Sequence, residues 1–266
     1  MPDSHHTSKN LLSAMIITYN EEANIYRTLH SLRWLSFVLI VDSGSTDQTL
    51  SIVSEFANTR VIYRKFDTFA NQCNFGLDSL SSEWILSLDA DYVISPELSN
   101  EISNLFEDFS AIDSFSAFQI AFSFCINGKP IRSGLLPPRT CIYRRNSGRY
   151  VDEGHGHRVV IAGKTGFLKS KIYHDDRKPI VTWLLTQAKY QNIEAHMLWQ
   201  ARSRKLPIQD LIRKHSFLAP FSAFFMCLIL RRGFMDGKEG IIYAFQRFIA
   251  ESLLFIYMHS KYPDKT

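Results

Sequence analysis

The sequence predicts an α/β fold, and three observations carry that prediction. Short apolar runs of strand length stop at polar turns, and segments with apolar residues at helical spacing lie between them. At the end of the fourth run two aspartates, Asp89 and Asp91, stand one residue apart. Strands alternating with helices make a parallel sheet with helices on its faces. All such strands end at one edge, where ligands bind.

Residues 11–18 form the first strand and stop at Tyr19-Asn20-Glu21-Glu22. Asn20 is placed to cap a helix, with Glu21 and Glu22 in its first turn. Ile25, Leu29 and Leu32 recur at helical spacing. Residues 37–41 form the second strand, ending at Asp42. Ser45 and Gln48 then have the spacing of a capping box, and Leu50, Val53 and Ala57 supply an apolar stripe. Residues 60–63 are a third strand. Phe69, Cys73, Leu77 and Leu80 mark a third helix, and residues 84–88 a fourth strand. Tyr19, Asp42 and the Asp89/Asp91 pair are thereby expected to meet at one sheet edge.

Ser95-Pro96 opens another helix, with Leu98, Ile102, Leu105 and Phe109 as its buried face. Residues 116–126 alternate, and Asn127-Gly128 is a hairpin turn from which a strand returns through residues 130–133. Residues 140–143 and 166–173 have the pattern of further short strands, so the second half turns antiparallel on a shared sheet. From residue 179 the chain is helical. Residues 217–230 are strongly apolar but too short to span a bilayer, and Pro220 interrupts them. Residues 241–258 are a second apolar helix, broken by Gln246, Arg247 and Glu251. These helices either pack on the core or a second subunit, or lie in one membrane leaflet. In the second case Arg202, Arg204, Lys205, Arg213, Lys214, Arg231 and Arg232 face anionic headgroups, and the aromatic-plus-basic composition favours it.

With 266 residues, 45% of them hydrophobic and 21% charged, the chain can bury a large globular core. A net charge of +4 is too small to argue for nucleic acid, and no aromatic-plus-basic reader motif occurs. Cys73, Cys125, Cys141 and Cys227 are scattered without a C-x-x-C, which favours reduced thiols over disulfides or zinc. Residues 1–10 are polar, with no apolar segment of a secretory signal, and are expected to be a disordered tail.

An Asp-x-Asp at a strand's exit offers hard oxygen ligands to a divalent cation, and such a cation suits a diphosphate. Turn chemistry alone also produces such pairs. Three motifs in order sharpen the choice: Ile17-Thr18-Tyr19-Asn20-Glu21-Glu22, Val41-Asp42-Ser43-Gly44-Ser45-Thr46-Asp47 and Leu88-Asp89-Ala90-Asp91. Together they resemble family 2 glycosyltransferases, and within these the bacterial group similar to lipopolysaccharide-core β-1,4-glucosyltransferases. The resemblance is strongest over residues 11–95. It continues at Arg139, at Tyr150 to Glu153 and at His174, and returns in Arg232-Gly233-Phe234-Met235-Asp236-Gly237.

The resemblance implies a GT-A fold, a Rossmann-like mixed sheet with helices on both faces, over residues 11–178. Residues 11–95 would be the nucleotide-binding half and 96–178 the acceptor half, followed by a C-terminal helical, membrane-associating segment over 179–266. It implies an inverting transfer of a hexose from a nucleotide-sugar, a UDP-sugar by preference, to a saccharide acceptor of an envelope or lipid-linked glycan. Tyr19, Glu21, Asp42, Gln72, Asn74, Asp89 and Arg139 would serve the nucleotide-sugar, with Tyr19 offering a stacking face and Asp42 an acceptor for a base or ribose. Asp91 and His174 would hold Mg²⁺ or Mn²⁺, while Asp89 reaches the sugar or ribose. The base would be Glu153 or Asp152, the former matching the family better. The same pair could instead be acidic loop residues balanced by Arg149 and Arg158. His155 and His157 suit solvent or acceptor contacts rather than zinc. The chain departs from the family at Cys73, where a lysine is usual, and at Ser43, where an aspartate is frequent. Arg64 or Lys65 could replace the missing cation. These departures keep open a non-catalytic sugar-nucleotide or glycan-binding protein on the same fold. The expected setting is cytoplasmic and peripheral at the inner membrane, with oligomerisation open.

Overall fold

Four apolar runs become the parallel part of the sheet. They are β1 (Leu12–Thr18), β2 (Val38–Asp42), β3 (Thr59–Tyr63) and β4 (Trp84–Asp89), in the order β3-β2-β1-β4. The structure is a computed structural model that describes residues 11–153, 156–201 and 206–261. The expected tail over residues 1–10, His155, and Arg202, Arg204 and Lys205 lie outside the described residues.

Between these strands run α1 (Ile25–His30), α2 (Thr49–Val53) and α3 (Phe69–Asp78); β5 (Tyr92–Ile94) and α4 (Pro96–Glu107) follow β4. Strand alternation sorts side chains onto two faces. Ala14, Ile16, Val38, Ile40 and Leu86 pack with Ile25, Leu29, Val53, Leu98 and Ile102 of α1, α2 and α4. Met15, Leu39, Val41 and Ile85 pack with Ala70, Cys73 and Leu77 of α3. Helix α3 approaches so closely that a Cβ on Gly76 would lie 2.6 Å from Met15 Sδ.

After α5 (Phe109–Asp113) the chain adds β6 (Ala117–Ile126), β7 (Lys129–Pro130), β8 (Arg139–Arg144), β9 (Gly148–Glu153), β10 (Gly156–Ile161) and β11 (Thr165–His174). The sheet continues from β4 as β8-β6-β11-β5, with β8 antiparallel to β4 and β11 antiparallel to β5. This mixed sheet with helices on both faces is the GT-A arrangement that the resemblance implies. Among the described residues, β9 and β10 pair only with each other, as an antiparallel hairpin.

Several local expectations need correction. Asn20 does not cap α1. It sits at φ 54, and its side chain accepts the Thr46 N–H, tying two loops together while the helix waits until Ile25. The Ser45–Gln48 capping box does not form, because Ser45 Oγ donates to Asp42 and accepts from Asn20 N–H; Asp47 takes the Thr49 N–H instead. α2 is short, so Leu50 and Ala57 are exposed, and Val53 and Phe56 point inward. Phe109 belongs to α5, not to the face of α4; Asp108 breaks the helix by capping Ser110, and Phe106 completes the buried face. The returning strand after Asn127-Gly128 stops at Pro130, since Asp236 takes the N–H groups of Arg132 and Ser133. The β9–β10 hairpin is absent from the sequence reading because its side chains are mostly polar or exposed.

Packing divides the chain into two units: residues up to Ser123 with Leu136–Arg177, and Phe124–Leu135 with the chain from Lys178 onward. The second unit contains α6 (Ile180–Gln200), α7 (Ile208–His215), α8 (Ala219–Phe225) and α9 (Gly237–Lys261), with a π-turn at Met226–Leu230 and a 3-10 turn at Gly233–Asp236. Asn127 and Gly128, at φ 52 and 81, turn its hairpin. Ile126, Ile131, Cys227, Tyr243 and Ala244 form one small core of this unit. Arg213, expected to face headgroups, is turned inward on Glu194 and Glu251, both 3.0 Å away.

Candidate functional site

The parallel strands deliver their last residues side by side. Thr18 pairs with Asp42 across β1 and β2, and Ile17 pairs with Asp89 across β1 and β4. Tyr19, Asp42, Asp89 and Asp91 are thereby brought to one edge, as the alternation of strands and helices requires.

Asp42 is buried, and its carboxylate organises the loop that follows. One oxygen accepts the Gly44 and Ser45 N–H groups at 2.7 and 2.9 Å. The other accepts the Thr18 and Ser45 hydroxyls at 3.1 and 2.5 Å. The β1 loop is laced to this one: Glu21 N–H donates to Thr49 Oγ1, and Glu22 N–H to Asp47. Above the laced loops the Tyr19 ring stands 58% exposed.

Gln72 is fully buried on α3 and joins two strand ends, donating to Ser43 Oγ and the Arg64 carbonyl while accepting from the Arg64 guanidinium. Arg64 also forks onto Asp67. Asn74, two residues further, exchanges two 3.0 Å hydrogen bonds with the Tyr150 backbone and so fixes β9 against α3. Asp152 Oδ1 accepts the Ala70 N–H at the first turn of α3. Glu153 is exposed and pairs with Arg158 at 3.0 Å; Arg149 pairs with Asp78 instead.

On the other side of Asp89 the chain folds back. β5 starts immediately after Asp91 and pairs with β11, so that His174 lies opposite Tyr92. His174 Nε2 is 3.0 Å from Asp91 Oδ2. Burial disfavours the imidazolium, but the charge and hydrogen bond of Asp91 outweigh it and hold the His174 pKa above its ordinary value. Tyr92 accepts from Arg139 at 3.3 Å. Burial, then the charge of Asp89, push the Tyr92 phenol well above its ordinary value. Tyr92 and, against the effect of burial, Asp89 raise the Arg139 guanidinium.

Three participants, Asn24, Arg27 and Arg177, are not visible in the sequence reading. Asn24, almost wholly buried, donates to Glu21 and Asp176 and accepts from the Arg177 N–H and from Arg27. Arg27 binds the Asp175 carbonyl, and Arg177 forks onto the Asp175 carboxylate. These contacts hold the segment after β11 against α1. Only the Asp175-Asp176-Arg177 charge run could have flagged it. His157, expected at solvent or acceptor contacts, instead stacks on Phe69 and lies 5.3 Å from Tyr150; burial lowers its pKa, partly offset by Asp89.

Asp91 and His174 can be tested as a cation site on their geometry. Two adjacent ligands of an octahedral cation lie about 3 Å apart when each bond is about 2.1 Å. The observed 3.0 Å between carboxylate oxygen and imidazole nitrogen fits that spacing. Among the described residues no cluster of three or more His, Cys, Asp or Glu is poised for a metal.

The model of the glycosyl transferase family 2 matches residues 13–161, more than half of the chain. An uncharacterized glycosyltransferase of Rickettsia felis is 28% identical, over 90% of this chain and 87% of that protein. The lipopolysaccharide core biosynthesis glycosyltransferase LpsC of Rhizobium meliloti is 27% identical, over 88% and 89%. Among solved structures, S. aureus TarS in complex with UDP-GlcNAc is similar at 18% identity and a TM-score of 0.47, over 94% of this chain and 92% of that one. The chain belongs to glycosyl transferase family 2.

Proposed function

We propose that this glycosyltransferase moves a hexose from a UDP-sugar to a saccharide acceptor of an envelope or lipid-linked glycan, with inversion. The observation that carries the reading is the Asp91–His174 pair at the edge where β1, β2 and β4 end. A divalent cation held there would neutralise the diphosphate as it leaves. Tyr19 offers its exposed ring to the base, and Asp42 shapes the loop beneath. Asp89 and Arg139 face the sugar and the phosphates. Glu153 takes the acceptor's hydroxyl proton, since its partner is an exposed arginine that it can release at little cost. Asp152 is held by the α3 N–H and positions the hairpin.

The likeness to a lipopolysaccharide-core enzyme supports an acceptor of that chemistry, and hence a protein that works in the cytoplasm at the inner face of the membrane. A thermal-shift screen of nucleotide-sugars with Mn²⁺ tests the reading, because a ligand that binds only the native state raises the midpoint. UDP-hexoses are expected to raise it, and EDTA to abolish the effect. Transfer should then appear with a core oligosaccharide acceptor. A midpoint raised by no nucleotide-sugar overturns the reading.

A further inference from the structure

In the second unit a buried ion network lies beside an apolar surface that faces outward. Glu251 is buried between Arg213 and Arg247, each 3.0 Å away, and Arg213 also meets Glu194. Apolar side chains of α8, the π-turn and α9 face outward: Phe225 is 52%, Leu230 79% and Phe245 53% exposed. A surface helix in water shows the opposite arrangement. These groups form one face. Phe224 contacts both Phe225 and Phe245, at 5.5 and 5.0 Å between ring centroids, and Phe248 reaches Phe221 at 5.2 Å. On α9, Ile241, Phe245 and Ile249 follow at intervals of four. Exposed Arg231, Arg232 and Lys238 stand where α8 gives way to α9.

We infer that the α8–α9 face is a docking surface for an anionic lipid leaflet, lying in the plane of the membrane. It deepens the membrane placement above and rests on that reading. Charge selects the occupant: an apolar face flanked by cations matches acyl chains beneath anionic headgroups. The segment from Gly233 to Ser260 contains an 18-residue stretch with the length and composition to cross a membrane, at a mean hydropathy of 1.4. Glu251 and Arg247 on its inner side, paired within the unit, favour a helix lying flat.

The test is co-sedimentation of the full chain with vesicles of phosphatidylglycerol and phosphatidylcholine, against phosphatidylcholine alone. Binding is expected only to the anionic vesicles and should weaken as salt is raised. The double variant Arg231→Gln/Arg232→Asn should bind roughly thirtyfold more weakly, as two lost cations predict; asparagine tolerates the left-handed backbone at position 232, where φ is 56. Phe225→Ser/Phe245→Ser should also lose binding; because both rings are half exposed and touch Phe224, the thermal midpoint measured beside it separates lost binding from lost folding. Equal binding to neutral vesicles, or wild-type binding by either double variant, overturns the proposal. So does a dimer in light scattering that the phenylalanine variant splits, in a protein that ignores vesicles. UDP-sugar thermal shifts on the same variants keep the two readings apart. Vesicle binding without nucleotide binding sinks only the transferase, and nucleotide binding without vesicle binding sinks only the docking face.

Discussion

Asp91 Oδ2 lies 3.0 Å from Nε2 of His174, a residue 83 positions further along the chain. Strand pairing creates the contact. β5 leaves Asp91 and runs antiparallel to β11, with His174 opposite Tyr92, and the Asp175 N–H donates to the Asp91 carbonyl. The Asp89-Ala90-Asp91 turn is fixed from the other side too, since Thr28 Oγ1 donates to the Ala90 carbonyl at 2.6 Å. Both partners are therefore placed by backbone, before any ligand arrives.

If this pair holds a cation on the donor, Asp91→Ala and His174→Ala should each remove the Mn²⁺-dependent part of the UDP-sugar thermal shift. Loss of one ligand should weaken metal binding by roughly 10–100-fold or more. Donor hydrolysis titrated with MnCl₂ checks this. Wild-type metal dependence in Asp91→Ala would remove the pair from the metal site.

Asn24 tests how far the segment carrying His174 depends on its clamp. Its amide donates to Glu21 Oε2 and Asp176 Oδ1, both at 2.9 Å. Asn24→Asp keeps the shape but turns a donor toward two carboxylates into a third carboxylate. The expected loss is about 3 kcal/mol of stability, more than for Asn24→Ala, because a buried charge is left facing like charges. Urea midpoints of the two variants decide it. Equal midpoints would mean that the network relaxes and does not position the segment.

How much of this was legible depends on what holds each residue. The convergence of Tyr19, Asp42 and Asp89 follows from buried strands, which leave a continuous apolar signature in the chain. The Ser45–Gln48 pair shows where local pattern fails: it has the spacing of a capping box, yet the buried Asp42 competes for the Ser45 hydroxyl and wins it. Asn24 and Arg27 look like ordinary residues of a helix start. Their partners Asp175, Asp176 and Arg177 come from the end of β11, and only the sheet order brings them together. The contact of Asp152 with the start of α3 likewise depends on a hairpin whose strands carry little apolar alternation.

That contact separates the two base candidates. Glu153→Gln should lower kcat by at least about 100-fold, with donor binding unchanged, as loss of a general base does. Asp152→Asn should leave a larger share of kcat and lower stability by about 1 kcal/mol, the usual scale for a lost helix-terminal acceptor. Steady-state kinetics beside thermal melts distinguish them. The reverse pattern would assign the proton transfer to Asp152.

His157 supplies a pH signature of the folded hairpin. Burial against Phe69 and Tyr150 depresses its pKa below the ordinary imidazole value, with Asp89 and Asp152 only partly opposing. The unfolded chain therefore binds a proton at a pH where the folded chain does not, and the slope of stability with pH is positive in that window. The contribution of His157 is fully present above the ordinary imidazole pKa and is lost as pH falls through the depressed value. Urea denaturation between about pH 8 and about pH 5 should show this fall in the wild type. His157→Phe keeps a ring over Phe69 but cannot take the proton, so its stability should fall less over the same range. If the two curves run parallel, the imidazole is protonated in the folded state at no cost and the hairpin is more open to water than its packing indicates.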